Sequence, residues 1–138
     1  MRVAFASDDE NETTRAVVAA LTDAGHELIR PGAAESWPDL GRFVGRAVVE
    51  GRADYGVVMC WTGTGTAIAA NKVPGVRAAL AWDPWIARGA RLWNDANVLT
   101  MSLKRTAPEV ALDCVKAFLA VETPDPEEAA NIDRLRGR

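Results

Sequence analysis

The chain is poor in the residues that build metal clusters and disulfide frameworks. It has two cysteines, Cys60 and Cys114, with no CxxC pair, and a single histidine, His26. That inventory excludes a zinc cluster and a disulfide scaffold, and reduced thiols are expected. Basic residues are not in excess either: 16 Lys and Arg against 19 Asp and Glu leave a formal net charge of -3. No positive surface is offered to a nucleic-acid backbone or to anionic lipid, so a small-molecule or protein partner is expected. No apolar run approaches the roughly 20 residues that span a bilayer, and the first residues enter an amphipathic strand instead of a signal-type apolar core. A cytoplasmic location follows as an expectation. The 138 residues, 49% of them hydrophobic, are about the length of one globular domain.

What is present is a regular alternation of strand-like and helix-like runs. "RVAFA" (2–6) alternates and stops at "SDDEN"; Val17, Val18 and Leu21 then share a helical face that ends near Gly25. "HELIR" (26–30) is a short second strand. From Pro38, the residues Leu40, Phe43, Val44, Ala47 and Val48 repeat at helical spacing as far as Gly51. "YGVVMC" (55–60) is continuously apolar, as a strand covered on both faces is. A helix follows from "GTAIAANK", then the strand "RAALAW", a helix from "DPWIARGARLW" and the strand "NVLTMS". Thr106 and Glu109 have capping-box spacing ahead of a last amphipathic helix marked by Val110, Cys114, Val115, Phe118 and Leu119. Such alternation predicts an α/β fold, a three-layer α/β/α sandwich around a doubly wound, five-stranded parallel sheet of Rossmann-like form. Its ligand site is expected beyond the carboxyl ends of the strands.

Residues 1–121 read as this domain. Residues 122–138, "ETPDPEEAANIDRLRGR", read as an arm: Pro124 and Pro126 interrupt the preceding helix, and Ile132 and Leu135 are its few apolar anchors. It is either a frayed terminus or an arm packed on a second subunit, where Arg134, Arg136 or Arg138 would approach a neighbour's site.

The segment "MCWTGTGTAIAANK" (59–72) sets a strand, then Gly63 and Gly65, then a helix. That order turns backbone amides and a positive helix end toward one concavity, which suits a phosphate or a developing oxyanion. It is neither GxGxxG nor a Walker loop, and no cofactor or metal is expected. A tight strand-to-helix connection explains the glycines equally well at this point.

"CWTGTGTAIAANKVPGVRAAL", followed by "WNDANVL", resembles the type B ribose-5-phosphate isomerases and galactose-6-phosphate isomerase subunits, and "SDDENETTRAVVAALTDAGHELI" resembles their opening segment. The collinear similarity runs from Met1 to about Leu119. It implies an aldose–ketose isomerase that moves a proton between adjacent carbons of a small sugar or sugar phosphate through an enediolate. Cys60 takes the position of the base. Gly63, Thr64 and Gly65 would donate backbone N–H groups to the enediolate oxygen, and the Thr62 hydroxyl would place Cys60 or the substrate. Asn94 would bind a substrate oxygen and Asp8 sugar hydroxyls, with helix capping as the structural alternative for Asp8. The resemblance also implies a homodimer or dimer of dimers with the site shared between subunits.

Departures from the family pattern bear on the substrate. Trp93 stands where the family has its ring-opening histidine, and an indole exchanges no proton near neutrality. Asp9 replaces a second histidine and would repel a phosphate. Trp61 replaces the first glycine of the loop. Lys104, with Arg105 beside it, replaces an arginine and loses the bidentate fork. The terminal arginine pattern fits in two registers: one uses Arg134 with Ala130 and Asn131, the other Arg134 and Arg138 with Leu135. His26 and Cys114 read as structural. Trp37, Trp82, Trp85 and Trp93 read as packing, or Trp61, Trp82 or Asp83, and Trp93 as parts of an aromatic pocket near the site. Three readings remain open from the residues: an isomerase whose substrate is not ordinary ribose-5-phosphate, an epimerase or tautomerase on an open-chain substrate, and a noncatalytic sugar-binding or partner subunit.

Overall fold

The alternating runs assemble one parallel sheet wrapped by helices. The computed structural model describes residues 1–33 and 36–136. The elements follow in the order β1 (Arg2–Ser7), α1 (Glu12–Asp23), β2 (Glu27–Ile29), α2 (Trp37–Val49), β3 (Tyr55–Cys60), α3 (Thr64–Asn71), β4 (Ala78–Leu80), α4 (Pro84–Asn94), β5 (Val98–Ser102) and α5 (Pro108–Leu119). A 3-10 turn (Pro126–Glu128) and the short α6 (Ala129–Asp133) close the described chain. The strand order is β2-β1-β3-β5-β4 with every pairing parallel. This is the three-layer, doubly wound sandwich expected from the alternation.

Each face of the sheet is buried by its own helices. Val17 and Leu21 of α1, Ala87 and Ala90 of α4, and Cys114 and Phe118 of α5 pack with Phe5, Val57, Leu99 and Met101 on one face. Leu40, Val44 and Ala47 of α2 and Ala70 of α3 pack with Ala4, Ala6, Val58 and Val98 on the other. With both faces covered, the central strand β3 is apolar throughout its buried length, as its sequence indicated.

Some local expectations are corrected. The strand from "RAALAW" is only three residues long, Ala78–Leu80. The capping box does not form at α5: Ala107 is the N-cap without a side-chain bond, while the Thr106 carbonyl accepts the Thr13 hydroxyl at 2.8 Å. A capping box forms instead at α1, between Asn11 and Thr14. Asp8 therefore does not cap that helix. Of the tail's two anchors Ile132 is buried and Leu135 is exposed.

A charged cluster, absent from the sequence expectations, ties the tail to the body. Arg91 on α4 is only 2% exposed and lies between the rings of Tyr55 and Phe118. It donates to Asp95 Oδ1 at 3.0 Å, to the Ala96 carbonyl at 2.9 Å and to the Tyr55 hydroxyl at 2.8 Å. Asp95 also meets Arg77 at 3.4 Å and Arg136 of the tail at 2.6 Å. Burial pushes the Asp95 carboxyl up, but Arg136, Arg91 and Arg77 together outweigh it and hold the group below the usual carboxylate range. Asp95→Asn leaves a buried guanidinium without its counter-charge and is expected to cost about 3 kcal/mol in denaturant unfolding. The wild-type contribution is complete above the unfolded carboxylate pKa near 4 and is lost as pH falls through the lower folded value. Acid titration of stability should therefore be steeper for the wild type than for Asp95→Asn.

Candidate active site

The strand order reverses direction between β1 and β3, so their carboxyl ends splay the connections that follow and leave a crevice. Ser7 pairs with Met59 in register, and the Asp8 amide donates to the Met59 carbonyl at 3.3 Å. Asp8 and Cys60 thus leave neighbouring strands side by side. They line one hollow of about 490 Å³ with Trp37, Trp61, Thr62, Thr64, Gly65 and Ile68.

The turn after Cys60 requires glycine. Gly63 has φ of 79°, and a β-carbon there would lie 2.6 Å from Leu80 and 2.8 Å from the Met101 backbone. In this conformation the Gly63 amide donates to Cys60 Sγ at 3.1 Å. Gly65 is close-packed under Trp37, whose ring would sit 2.8 Å from an added β-carbon. Trp37, taken from sequence as packing, is therefore a wall of the hollow.

Cys60 is 5% exposed. Burial alone would raise its thiol pKa, but the Thr66 hydroxyl and the amides of Thr66, Gly63 and Thr62 surround the sulfur and bring it below the ordinary thiol value. Thr66, fully buried in the first turn of α3, donates its hydroxyl to Cys60 Sγ at 3.3 Å. Sequence reading assigned this role to Thr62, whose hydroxyl instead meets Thr64 Oγ1 at 2.6 Å. The signal that could have found Thr66 is its place three residues after Gly63, one helical turn in. Thr66→Val is expected to move the pH profile of Cys60 alkylation upward, with Thr66→Ser restoring it.

The amide donors are also redistributed. The Gly63 N–H is spent on Cys60 and the Thr64 N–H lies 3.3 Å from Thr62 Oγ1. Gly65 retains an amide without a partner among the hydrogen bonds of the described residues. Burial, reinforced by the charge of Asp9, raises the Asp8 carboxyl pKa. Asp9 itself faces Trp61: its Oδ2 accepts the indole N–H at 3.2 Å and its Oδ1 the Glu10 amide at 2.8 Å. Lys104 Nζ lies 4.5 Å from the Trp61 ring centroid, and Lys104 and Arg105 line a second hollow of about 400 Å³ with Trp61 and Thr62.

Family model and relatives agree with this fold. The family described as Ribose/Galactose Isomerase matches residues 3–135. The chain belongs to this family. A ribose-5-phosphate isomerase B of Mycolicibacterium paratuberculosis is 37% identical over 144 residues, covering 98% of this chain and 89% of that protein. The structure of Clostridium thermocellum ribose-5-phosphate isomerase B superposes with a TM-score of 0.90 at 34% identity, over 98% of this chain and 95% of that one. D-Erythrulose-4-phosphate isomerase 2 of Mycolicibacterium smegmatis is 39% identical over 95 residues, 69% of this chain and 62% of that protein. As a family member the chain is an aldose–ketose isomerase of sugar phosphates.

Other residues singled out in this isomerase lie elsewhere. The Gly56 amide, at the start of β3, donates to the Asn97 carbonyl, so the segment Asn94–Asn97 sits at the amino edge of the sheet. Cys60 ends the same strand, about 13 Å away at 3.3 Å per residue. Asp95 and Asn97 of that segment are structural, Asn97 holding the Arg77 amide at 2.8 Å and the Gly75 carbonyl at 3.0 Å. Trp93 packs edge-on against Trp85 with centroids 5.4 Å apart. Asp83 caps α4 through the Ile86 amide. Trp82 and Trp93 do not join Trp37 and Trp61 in the hollow beside Cys60. Arg134 is exposed in the tail, which is fastened to the end of α4 by Asp125 N–H on the Leu92 carbonyl at 2.8 Å. Arg138 lies outside the described residues. His26 sits at the amino edge with Nδ1 3.3 Å from the Met1 ammonium. Among the described residues no group of three or more metal-ligating side chains occurs, and no helix is long and apolar enough to cross a membrane.

Proposed function

We propose that the protein isomerises a short, open-chain sugar phosphate, with a four-carbon phosphate as its best substrate, and that Cys60 is the base. The carrying observation is the Cys60 sulfur, bonded by the Thr66 hydroxyl and the Gly63 amide beside Asp8 in one hollow. A thiolate there takes the proton from the carbon next to the carbonyl; the C–H electrons move into the C–C bond and the carbonyl π pair onto oxygen. The Gly65 amide, which borders the hollow and has no partner among the described hydrogen bonds, would donate to that oxygen. The neighbouring hydroxyl proton then crosses to it by way of Asp8, whose raised pKa suits proton exchange, and the thiol returns its proton to the other carbon.

The missing imidazole at Trp93 supports the substrate class. A four-carbon sugar phosphorylated on its last oxygen has no hydroxyl left to close a five-membered ring, so it needs no ring opening. The partial relative named for D-erythrulose-4-phosphate points the same way. General acid–base help in ring opening is worth about a hundredfold or more. Kinetics on D-erythrulose-4-phosphate and ribose-5-phosphate should therefore give kcat/KM at least that much higher for the first. Equal or better conversion of ribose-5-phosphate overturns the substrate assignment.

The same reading includes a homodimer with shared sites. Asn94 and Arg134 reach only the Cys60 hollow of another copy, because their own lies at the opposite edge of the sheet.

A further inference from the structure

The two hollows at the carboxyl edge share a wall. One holds Cys60 and Asp8, the other Lys104 and Arg105, and Trp61 lines both. At 57% exposure this indole would ordinarily be free to change rotamer, yet its ring is held from two sides and its backbone is anchored as well. Asp9 accepts its N–H at 3.2 Å, Lys104 lies over its face at 4.5 Å, and its own carbonyl accepts the Ser102 hydroxyl at 2.5 Å. The first two contacts are made by opposite charges on different parts of one ring, the edge and the face, which fixes its tilt as well as its position. The amide of Glu10 and the indole hold the Asp9 carboxyl below its usual range, so the anion that holds the N–H persists through neutral pH. Asp9 lines neither hollow, and its partner is the tryptophan.

A substrate with its reacting carbons at the sulfur and its charge against Lys104 and Arg105 must pass the indole edge. We infer that Trp61, clamped by Asp9 and Lys104, is the specificity-determining residue of this isomerase: a wall that admits short, open chains to Cys60 and rejects longer or cyclic ones. The inference rests on Cys60 being the base. It extends that reading by naming the side chain that sets the size limit. Glycine at this position would remove the indole from between the two hollows and leave Thr62 as their remaining shared wall.

Two measurements on the full-length protein test it. For Trp61→Gly, the ratio of kcat/KM for ribose-5-phosphate to that for D-erythrulose-4-phosphate should rise about tenfold or more over the parent, with smaller shifts for Trp61→Phe and Asp9→Asn. Independently of turnover, Cys60 alkylation by iodoacetamide and by N-phenylmaleimide is followed by mass spectrometry of the Cys60 peptide. The maleimide-to-iodoacetamide rate ratio should rise about tenfold in Trp61→Gly and in the same direction in Asp9→Asn. An unchanged alkylation ratio in folded Trp61→Gly, or in Trp61→Phe and Asp9→Asn if the glycine variant does not fold, overturns the wall. A raised alkylation ratio in a protein that converts neither sugar upholds the wall and removes the substrate assignment instead.

Discussion

Cys60→Ser is expected to lower kcat by about 10²–10⁴-fold while leaving the fold and ligand affinity in place. The size follows from the sulfur's surroundings. Serine keeps a hydrogen-bond acceptor for the Gly63 amide and the Thr66 hydroxyl, so the turn survives. What it loses is ionisation: donors that bring a thiol below its ordinary pKa still leave an alcohol protonated at neutrality. The wild-type kcat/KM should rise with pH as Cys60 deprotonates, levelling off below the ordinary thiol pKa, and the serine variant should lack that limb. Cys114→Ser is the matched control. Burial first, then Asp83 and Asp113, push the Cys114 thiol up to about 11, and it lies fully buried on α5. Its replacement should cost about 1–3 kcal/mol of stability with turnover per folded molecule unchanged. A wild-type rate in Cys60→Ser on the true substrate removes Cys60 as the base.

Mixing inactive Cys60→Ser with inactive Asn94→Ala should restore activity to roughly a quarter of wild type once subunits exchange, because random pairing makes half the dimers hybrid and each hybrid carries one intact site. The expectation is geometric. Asn94 ends α4 at the amino edge of the sheet, Cys60 ends β3 at the carboxyl edge, and the exposed Asn94 amide has no partner among the described hydrogen bonds. Only a neighbouring subunit turned end for end brings the two together. Failure of the mixture to recover, with exchange shown by mass spectrometry of the hybrids, places both residues in one subunit or removes Asn94 from the site. A concentration-independent monomer that is fully active overturns the shared site outright.

Much of this was legible along the chain. The apolar run 55–60 and the glycines after it placed a cysteine at the lip of a strand-to-helix turn, because strand burial and the positive φ of Gly63 are both local demands on residue type. The parallel sheet followed from alternation of the two periodicities, and the crevice from the sheet. The capping box assigned to Thr106 and Glu109 failed because Thr106 turned inward, its carbonyl taken by Thr13 on another helix. Spacing reports which bonds a segment could make alone, and a partner from elsewhere in the fold overrides it.

By itself, then, the sequence determined the order and kind of nearly every element, the edge of the sheet that holds Cys60, and the family pattern from which the chain departs at Trp61, Trp93 and Asp9. Only tertiary structure decided which donor reaches the sulfur, that Asp9 and Lys104 hold Trp61, and that Asn94 and Arg134 sit at the far edge from the Cys60 of their own chain. The reason is physical. Periodicity and turn chemistry constrain neighbours along the chain, whereas a contact such as Asp9 with Trp61, 52 positions apart, depends on strand register and on the direction each helix runs across the sheet.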